Sequence, residues 1–259
     1  MMRLLKIELL KLLPYKTFRI LFLIYLVLIL CILLVADDFF GKLGAPKEQV
    51  LQFPNIWNYY TCIAGYLNVI LAIIIIFITC NEITYRTLRQ NIIDGLTRTE
   101  VVLSKIYLIV FFAILITLFV LVSGLIAGSI NGTIPGGGNF TDHIEFVFAF
   151  FIQTLGVMSL AFLLGNLFKR SAIAIILFLI FLFPIDLVLR EAILPEGGGN
   201  YLPVATYFLK LMPAPTTHIL SNGDEPTPDL PGILPLTVGA AYMLIFFTLN
   251  WFMIRKRDL

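Results

Sequence analysis

Few residues in this chain are of a type that does chemistry, and they are scattered. Nucleophilic catalysis needs a nucleophile, a base and an orienting group within hydrogen-bond reach. Ser123 and Ser159 both fall inside apolar runs, and neither occupies a G-x-S-x-G turn. The two histidines, His143 and His218, lie between apolar runs without an H-E-x-x-H partner. Cys31, Cys62 and Cys80 have no metal-ligand spacing, so they read as small packing residues, the habit of free cysteine. No G-x-x-x-x-G-K-[ST] phosphate loop occurs, which leaves the chain without that device for holding ATP. The expectation is a protein that is not an enzyme, binds no metal and no cofactor of its own, and contacts no nucleic acid.

One stretch does order its polar groups. Residues 81–105 read NEITYRTLRQNIIDGLTRTEVVLSK. Glu82 and Arg86 are four apart and can pair along a helix. Tyr85, Leu88 and Ile92 recur at helical spacing as a narrow apolar face, with Arg86, Arg89 and Gln90 away from it. Asp94-Gly95 supplies a turn, since Gly95 tolerates a positive φ. Thr97, Arg98, Thr99 and Glu100 then fit a capping box that starts the next helix. The spacing predicts helix, tight break, helix, with Lys105 at the edge of the following apolar run. A short amphipathic helix ending in a rigid turn suits docking into a groove of another protein.

The elements that must carry this loop follow from composition. Of 259 residues 59% are apolar and 13% charged, against roughly a quarter charged in soluble domains. The mean hydropathy is +0.97. Lipid solvates such a chain and water does not. A spanning helix needs about 20 apolar residues, and six runs qualify: Ile20–Ala36, Ile63–Cys80, Ile106–Ile130, Ile144–Phe168, Ala172–Val188 and Leu234–Ile254. The fourth and fifth are separated by Lys169, Arg170 and Ser171 alone, which demands a tight hairpin. Segments 1–19, 81–105, 169–171 and 255–259 hold 14 of the 18 Lys and Arg residues. By the excess of basic residues on the inner side, these four segments are cytoplasmic, and so are both termini. Arg3–Leu13 reads as a helix lying at the inner surface, with Leu5, Leu9, Leu12 and Leu13 on one face and Arg3, Lys6 and Lys11 towards lipid phosphates. Pro14 ends it. Outside, residues 37–62 finish in Trp57, Tyr59 and Tyr60, suited to the headgroup layer. Residues 131–143 are short and Gly-rich, and 189–233 form a long Pro-rich loop with an apolar stretch at Tyr201–Met212.

At residues 81–105 the chain resembles the membrane subunits of type-2 ABC exporters. The matching positions are Glu82 after the second span, Arg86-Thr87-Leu88-Arg89, the turn Gly95-Leu96-Thr97-Arg98, and Lys105 opening the third span. Tyr85-Arg86 departs from the family, which often has Asn-Gly or Lys-Gly before the Thr. The likeness extends loosely over the whole chain as one permease domain, 1–259, with an interfacial helix at 1–16, a coupling loop at 81–105 and a long outer loop at 189–233. The resemblance implies an ATP-driven transporter, of the exporter type, in the plasma (inner) membrane of a prokaryote. It implies that Glu82, Tyr85, Arg86, Thr87, Leu88, Arg89, Ile92, Gly95 and Arg98 couple the chain to a separate ABC ATPase, which holds ATP and Mg. It further implies a second permease subunit, the same or a related chain. The substrate is open. An interior without fixed charge fits hydrophobic or amphiphilic cargo such as lipids, peptides or drugs, and equally fits mechanical work on something outside. The alternative is an ion-coupled transporter or a structural membrane protein. Ion coupling usually places ionisable groups at mid-membrane depth. Here Glu145 and Asp186 stand near span ends, and the polar groups within the spans are the uncharged Asn68, Gln153, Ser159 and Asn166, expected to bond between helices.

Overall fold

The structure, a computed structural model, describes residues 2–42, 50–85, 87–93, 95–133, 140–182 and 233–256. Arg86, Asp94, the Gly136–Gly138 run, residues 183–232 with Asp186, Tyr201–Met212 and His218, and Arg257 lie outside them. Eight helices make up the described residues: α1 (Met2–Leu12), α2 (Lys16–Lys42), α3 (Ile56–Thr84), α4 (Thr87–Ile93), α5 (Arg98–Asn131), α6 (Glu145–Phe168), α7 (Ser171–Leu182) and α8 (Ile233–Lys256). Five of them, α2, α3, α5, α6 and α8, are long and apolar enough to cross a membrane. This is the architecture of a helical, multi-pass membrane protein. The expected fifth span, Ala172–Val188, is described as the 12-residue apolar helix α7, and 183–188 lie beyond it.

α6 sits at the centre of the bundle. Most of its spanning stretch is buried, and it packs against α3, α5, α7 and α8. Its largest contact is with α3, and small residues make that contact close. A Cβ on Gly165 would stand 3.0 Å from Thr79 Cβ and 3.5 Å from the Ile76 backbone, and one on Gly65 would meet the Gln153 amide at 2.5 Å. Lipid tails are as apolar as leucine, so helices in a bilayer gain from such close approach and from hydrogen bonds rather than from apolar burial. Tyr25 Oη donates to Asn68 Oδ1 at 3.1 Å and Asn68 Nδ2 donates to Thr154 Oγ1 at 3.0 Å, linking α2, α3 and α6. Asn166 Nδ2 donates to Asn250 Oδ1 at 2.7 Å, linking α6 and α8. The expected role of Asn68 and Asn166 is thereby met. Ser159 instead donates to its own helix at the Gly156 carbonyl, 2.8 Å, and the buried Gln153 leaves Oε1 without a partner.

Lys169 and Arg170 do form a tight turn. Lys169 takes a left-handed conformation at φ 58°, its N–H bonded to the Gly165 carbonyl, and α7 starts at Ser171. α3 starts seven residues before the expected run, and this changes the reading of its aromatic residues. Trp57, Tyr59 and Tyr60 are buried within the bundle. Trp57 Nε1 donates to the Phe140 carbonyl at 3.0 Å, and the Tyr60 hydroxyl lies 2.7 Å from Ser123 Oγ on α5. α2 is the opposite case, with Leu23, Leu34 and Val35 exposed on a helix apolar all round, as a lipid-facing helix is.

A bulky side chain on the α3 seam has nowhere to go, because Thr79 and the Ile76 backbone close the space. Gly165→Ile is expected to lower stability by about 1–3 kcal/mol, the range for overpacked cores. Thermal unfolding in detergent, followed by labelling of the buried thiols of Cys62 and Cys80, measures this. Unchanged melting would remove the close seam from the account.

Candidate functional site

At 1.5 Å per residue, the 34 residues of α5 reach about 51 Å and the 29 of α3 about 44 Å. Both exceed a hydrocarbon core of about 30 Å. Their Glu82 and Arg98 ends lie together at one end of the bundle, and the short helices α1 and α4 gather around them. The site is built there.

Its core is a buried ion cluster. Lys105, on the second turn of α5, donates to Glu8 of α1 and to Glu82 near the end of α3. The side chain of Lys105 is 5% exposed, that of Glu8 2% and that of Glu82 13%. Ser104 Oγ donates to Glu8 Oε1 at 3.1 Å, sharing its proton with the Val101 carbonyl at 2.8 Å. Lys11 stands 3.6 Å from Glu8 and donates to Asn91 Oδ1 of α4 at 2.8 Å. Burial pushes the Glu8 carboxyl up, but the charges of Lys105 and Lys11 and the bonds from Lys105 and Ser104 outweigh it. Glu8 is held below the ordinary carboxylate range. Each charge is thus paired and hydrogen-bonded, the condition under which burial is tolerable. Glu8, Glu82, Lys11 and Lys105 together carry no net charge, and they bind α1, α3, α4 and α5 into one junction.

The local architecture around the cluster agrees with the expected helix, break, helix at its second half. Gly95 has φ +98°. Thr97 caps α5 with its side chain accepting from Glu100 N–H, while the Glu100 carboxylate accepts from Thr97 N–H at 2.8 Å. The first half differs. Glu82 and Tyr85 are not on one helix with Ile92, because α3 ends at Thr84 and α4 begins at Thr87, with the Thr87 hydroxyl donating to the Glu82 carbonyl at 3.2 Å. The pairing of Glu82 with Lys105 takes the role expected of Arg86, which lies outside the described residues. Of the expected apolar face, the side chains of Tyr85 and Ile92 are described. Tyr85 is 72% exposed, Ile92 half-buried and Ile93 78% exposed, while Asn91 is buried against α1. The side chains of Leu88 and Arg89 are outside the description. Arg98 donates from Nη1 to the Arg255 carbonyl at 2.8 Å, joining α5 to the last turn of α8, where a cation opposes the negative end of the helix dipole.

Glu8, Lys11, Asn91 and Ser104 were missed at the level of sequence. A signal for Glu8 was present: Leu4, Glu8 and Leu12 are spaced by four, and all three are buried. An acid in an apolar stripe needs a buried cation. Of the expected stripe, Leu12 is buried, Leu5 and Leu9 are half-buried and Leu13 is exposed. Among the described residues no group of three or more His, Cys, Asp and Glu is placed to hold a metal.

Residues 43–259 match the family described as a protein of unknown function, DUF2705. The chain belongs to this family. No curated protein matches it. The DUF2705 match begins after α1 and α2. It therefore takes in Glu82, Asn91 and Lys105 but not Glu8 or Lys11.

Removing the cation leaves two buried carboxylates facing each other. Lys105→Met is expected to cost about 3–5 kcal/mol, as broken buried pairs do. Glu8→Gln should cost clearly less, because Lys105 keeps Glu82 and gains an amide acceptor. Combining Glu8→Leu, Glu82→Leu and Lys105→Met should recover most of the loss. Melting in detergent of the three variants orders them, and equal effects of Lys105→Met and Glu8→Gln would refute a paired cluster.

Proposed function

We propose that this DUF2705 protein is the membrane-spanning subunit of an ATP-driven ABC transporter, of the exporter type. The observation that carries the reading is the order of parts at one end of the bundle: Glu82 ending α3, a short helix, the Gly95 turn, the Thr97–Glu100 capping box and Lys105. That order is the one on which the chain resembles type-2 ABC permeases. What supports it physically is that the short helix is held rigidly by its flanks while Tyr85 and Ile93 are left exposed. An exposed apolar pair on a rigid projecting element fits a docking surface better than an ordinary connector.

In this reading α1, α4 and both termini are cytoplasmic, because the basic residues gather there. The run Ala172–Val188, which takes in α7, is a sixth span in this reading, since two cytoplasmic termini need an even number of crossings. The membrane is the plasma membrane of a prokaryote. A separate ATPase binds ATP and Mg, and two permease chains, identical or related, pair in the complex. Closure of the ATPases on ATP pushes on α4, and the junction at Lys105 passes the displacement into α3 and α5. Tyr85, Ile92 and Ile93 anchor the contact, and Arg86 and Arg89 pair with acidic groups of the ATPase. Arg98 ties α5 to α8 and acts within the permease.

Purification of the tagged chain in mild detergent is expected to bring a stoichiometric ABC ATPase, and Arg86→Glu with Arg89→Glu should release most of it. Retention of the ATPase by that double variant would move the contact elsewhere. An intact chain with no ATPase would sink the transporter reading in favour of an ion-coupled or structural protein. Topology is tested separately by single cysteines at Lys6 and Arg255 labelled in intact cells. Both are expected to be protected from an impermeant reagent, and labelling of either would reverse the orientation.

A further inference from the structure

A cavity of about 340 Å³ opens between α1, the end of α3 and α4. Its walls are apolar at Leu12, Tyr15, Ile78 and Tyr85 and polar at Lys11 and Asn91. Two hydrogen-bond donors there are under-used. Lys11 donates to Asn91 Oδ1, which fixes the orientation of the Asn91 amide and leaves Nδ2 as donor. Asn91 is 6% exposed and its Nδ2 has no partner among the described residues. A buried amide donor left without an acceptor is costly, so a group that supplies an acceptor there gains from binding. Lys11 carries three protons. One goes to Asn91, and Glu8 at 3.6 Å is at ion-pair rather than hydrogen-bond distance. Glu82 also lines the cavity, but Lys105 satisfies its charge.

We infer that this cavity is a socket for an acidic side chain of the partner ATPase, its carboxylate taken by Asn91 Nδ2 and Lys11. The inference rests on the reading above and deepens it, because the recognising groups come from α1 and from the buried side of α4 rather than from the arginines. Three features choose the occupant. The under-used groups are donors, which asks for acceptor oxygens. One of them is cationic, and Arg86 and Arg89 belong to the same segment in sequence, which asks for negative charge. The walls of Leu12, Tyr15 and Tyr85 suit an aliphatic stem, which favours a long acidic side chain over a free anion. The volume, more than ten times a water's share of about 30 Å³, accommodates one. Gln90 lines the cavity and is exposed, so it marks the route of entry.

The test uses the full-length chain with its co-purified ATPase. Asn91→Asp keeps the size of the side chain and an acceptor for Lys11, so the junction stays folded, but it replaces the spare donor with a charge of the wrong sign. It should weaken retention of the ATPase at least about tenfold, with the melting temperature unchanged. A photo-crosslinking benzoylphenylalanine at Gln90 should capture an ATPase peptide containing Glu or Asp, and neutralising that acid should lower retention as Asn91→Asp does. If the ATPase co-purifies but Asn91→Asp retains it as well as wild type does, the socket is refuted and the transporter reading stands. A crosslink at Gln90 to lipid alone refutes the socket as well. If no ATPase co-purifies with the wild-type chain, both fall.

Discussion

Lys105 is the charge on which the geometry of this protein turns. An ammonium buried at the mouth of a lipid-solvated bundle cannot remain without counter-charges, since desolvating an ion costs several kcal/mol even after relaxation. Two carboxylates from different helices reach it, and each comes with an element attached. Glu82 fixes the end of α3 against the start of α5. Glu8 draws in α1, which shares no hydrogen-bond ladder with the rest and would otherwise be only a surface helix. Lys11 then reaches from α1 to Asn91 and fixes α4. One buried cation thereby sets the position of every short element at this end of the bundle.

The remainder of the bundle is held by other means. Between α3 and α6 the contact is a seam of small residues at Gly65 and Gly165, and between α6 and α8 it is an asparagine pair. Interhelical hydrogen bonds in membranes are individually modest, averaging about 0.6 kcal/mol, so the seam needs several together with close packing. Such an interface can slide without exposing a charge. The ion cluster cannot, because separating Lys105 from either carboxylate leaves a charge buried and unpaired. The molecule is therefore held by two kinds of contact, paired charges at one end and close small-residue packing between the spans.

Much of this was legible in the sequence where a single segment contains its own reasons. The Thr97–Glu100 box, the Gly95 turn and the Lys169–Ser171 hairpin are local, set by capping and by the shortness of the connection, and the structure agrees with each. The apolar runs gave the spans but not their true lengths, because a helix does not stop where its hydropathy falls: α3 runs on to Thr84 and starts at Ile56. Burial of Trp57 and Tyr60 depends on Phe140 and Ser123, distant in sequence, and no pattern in 37–62 contains them. The bond from Lys105 to Glu82 was beyond reach for the same reason. A partner four residues along was visible, and one 23 residues along with a third from α1 was not.

The neutrality of the cluster bears on what the junction can do. With two carboxylates and two ammonium groups the four charges cancel, so α1 and α4 need no counterion from solvent to stay docked, and the docking is insensitive to the screening that weakens exposed pairs. α4 is tied to this cluster through the hydrogen bond from Lys11 to Asn91, and in the proposed reading a force on α4 would reach α3 and α5 through it. These two helices also line the bundle beside α6, against the small-residue seam. A rigid input joined to a repackable interior is the arrangement that passes a displacement at the membrane surface into a change of helix packing. It needs no acid or base in mid-span, and the described spans carry no Asp, Glu, Lys, Arg or His there.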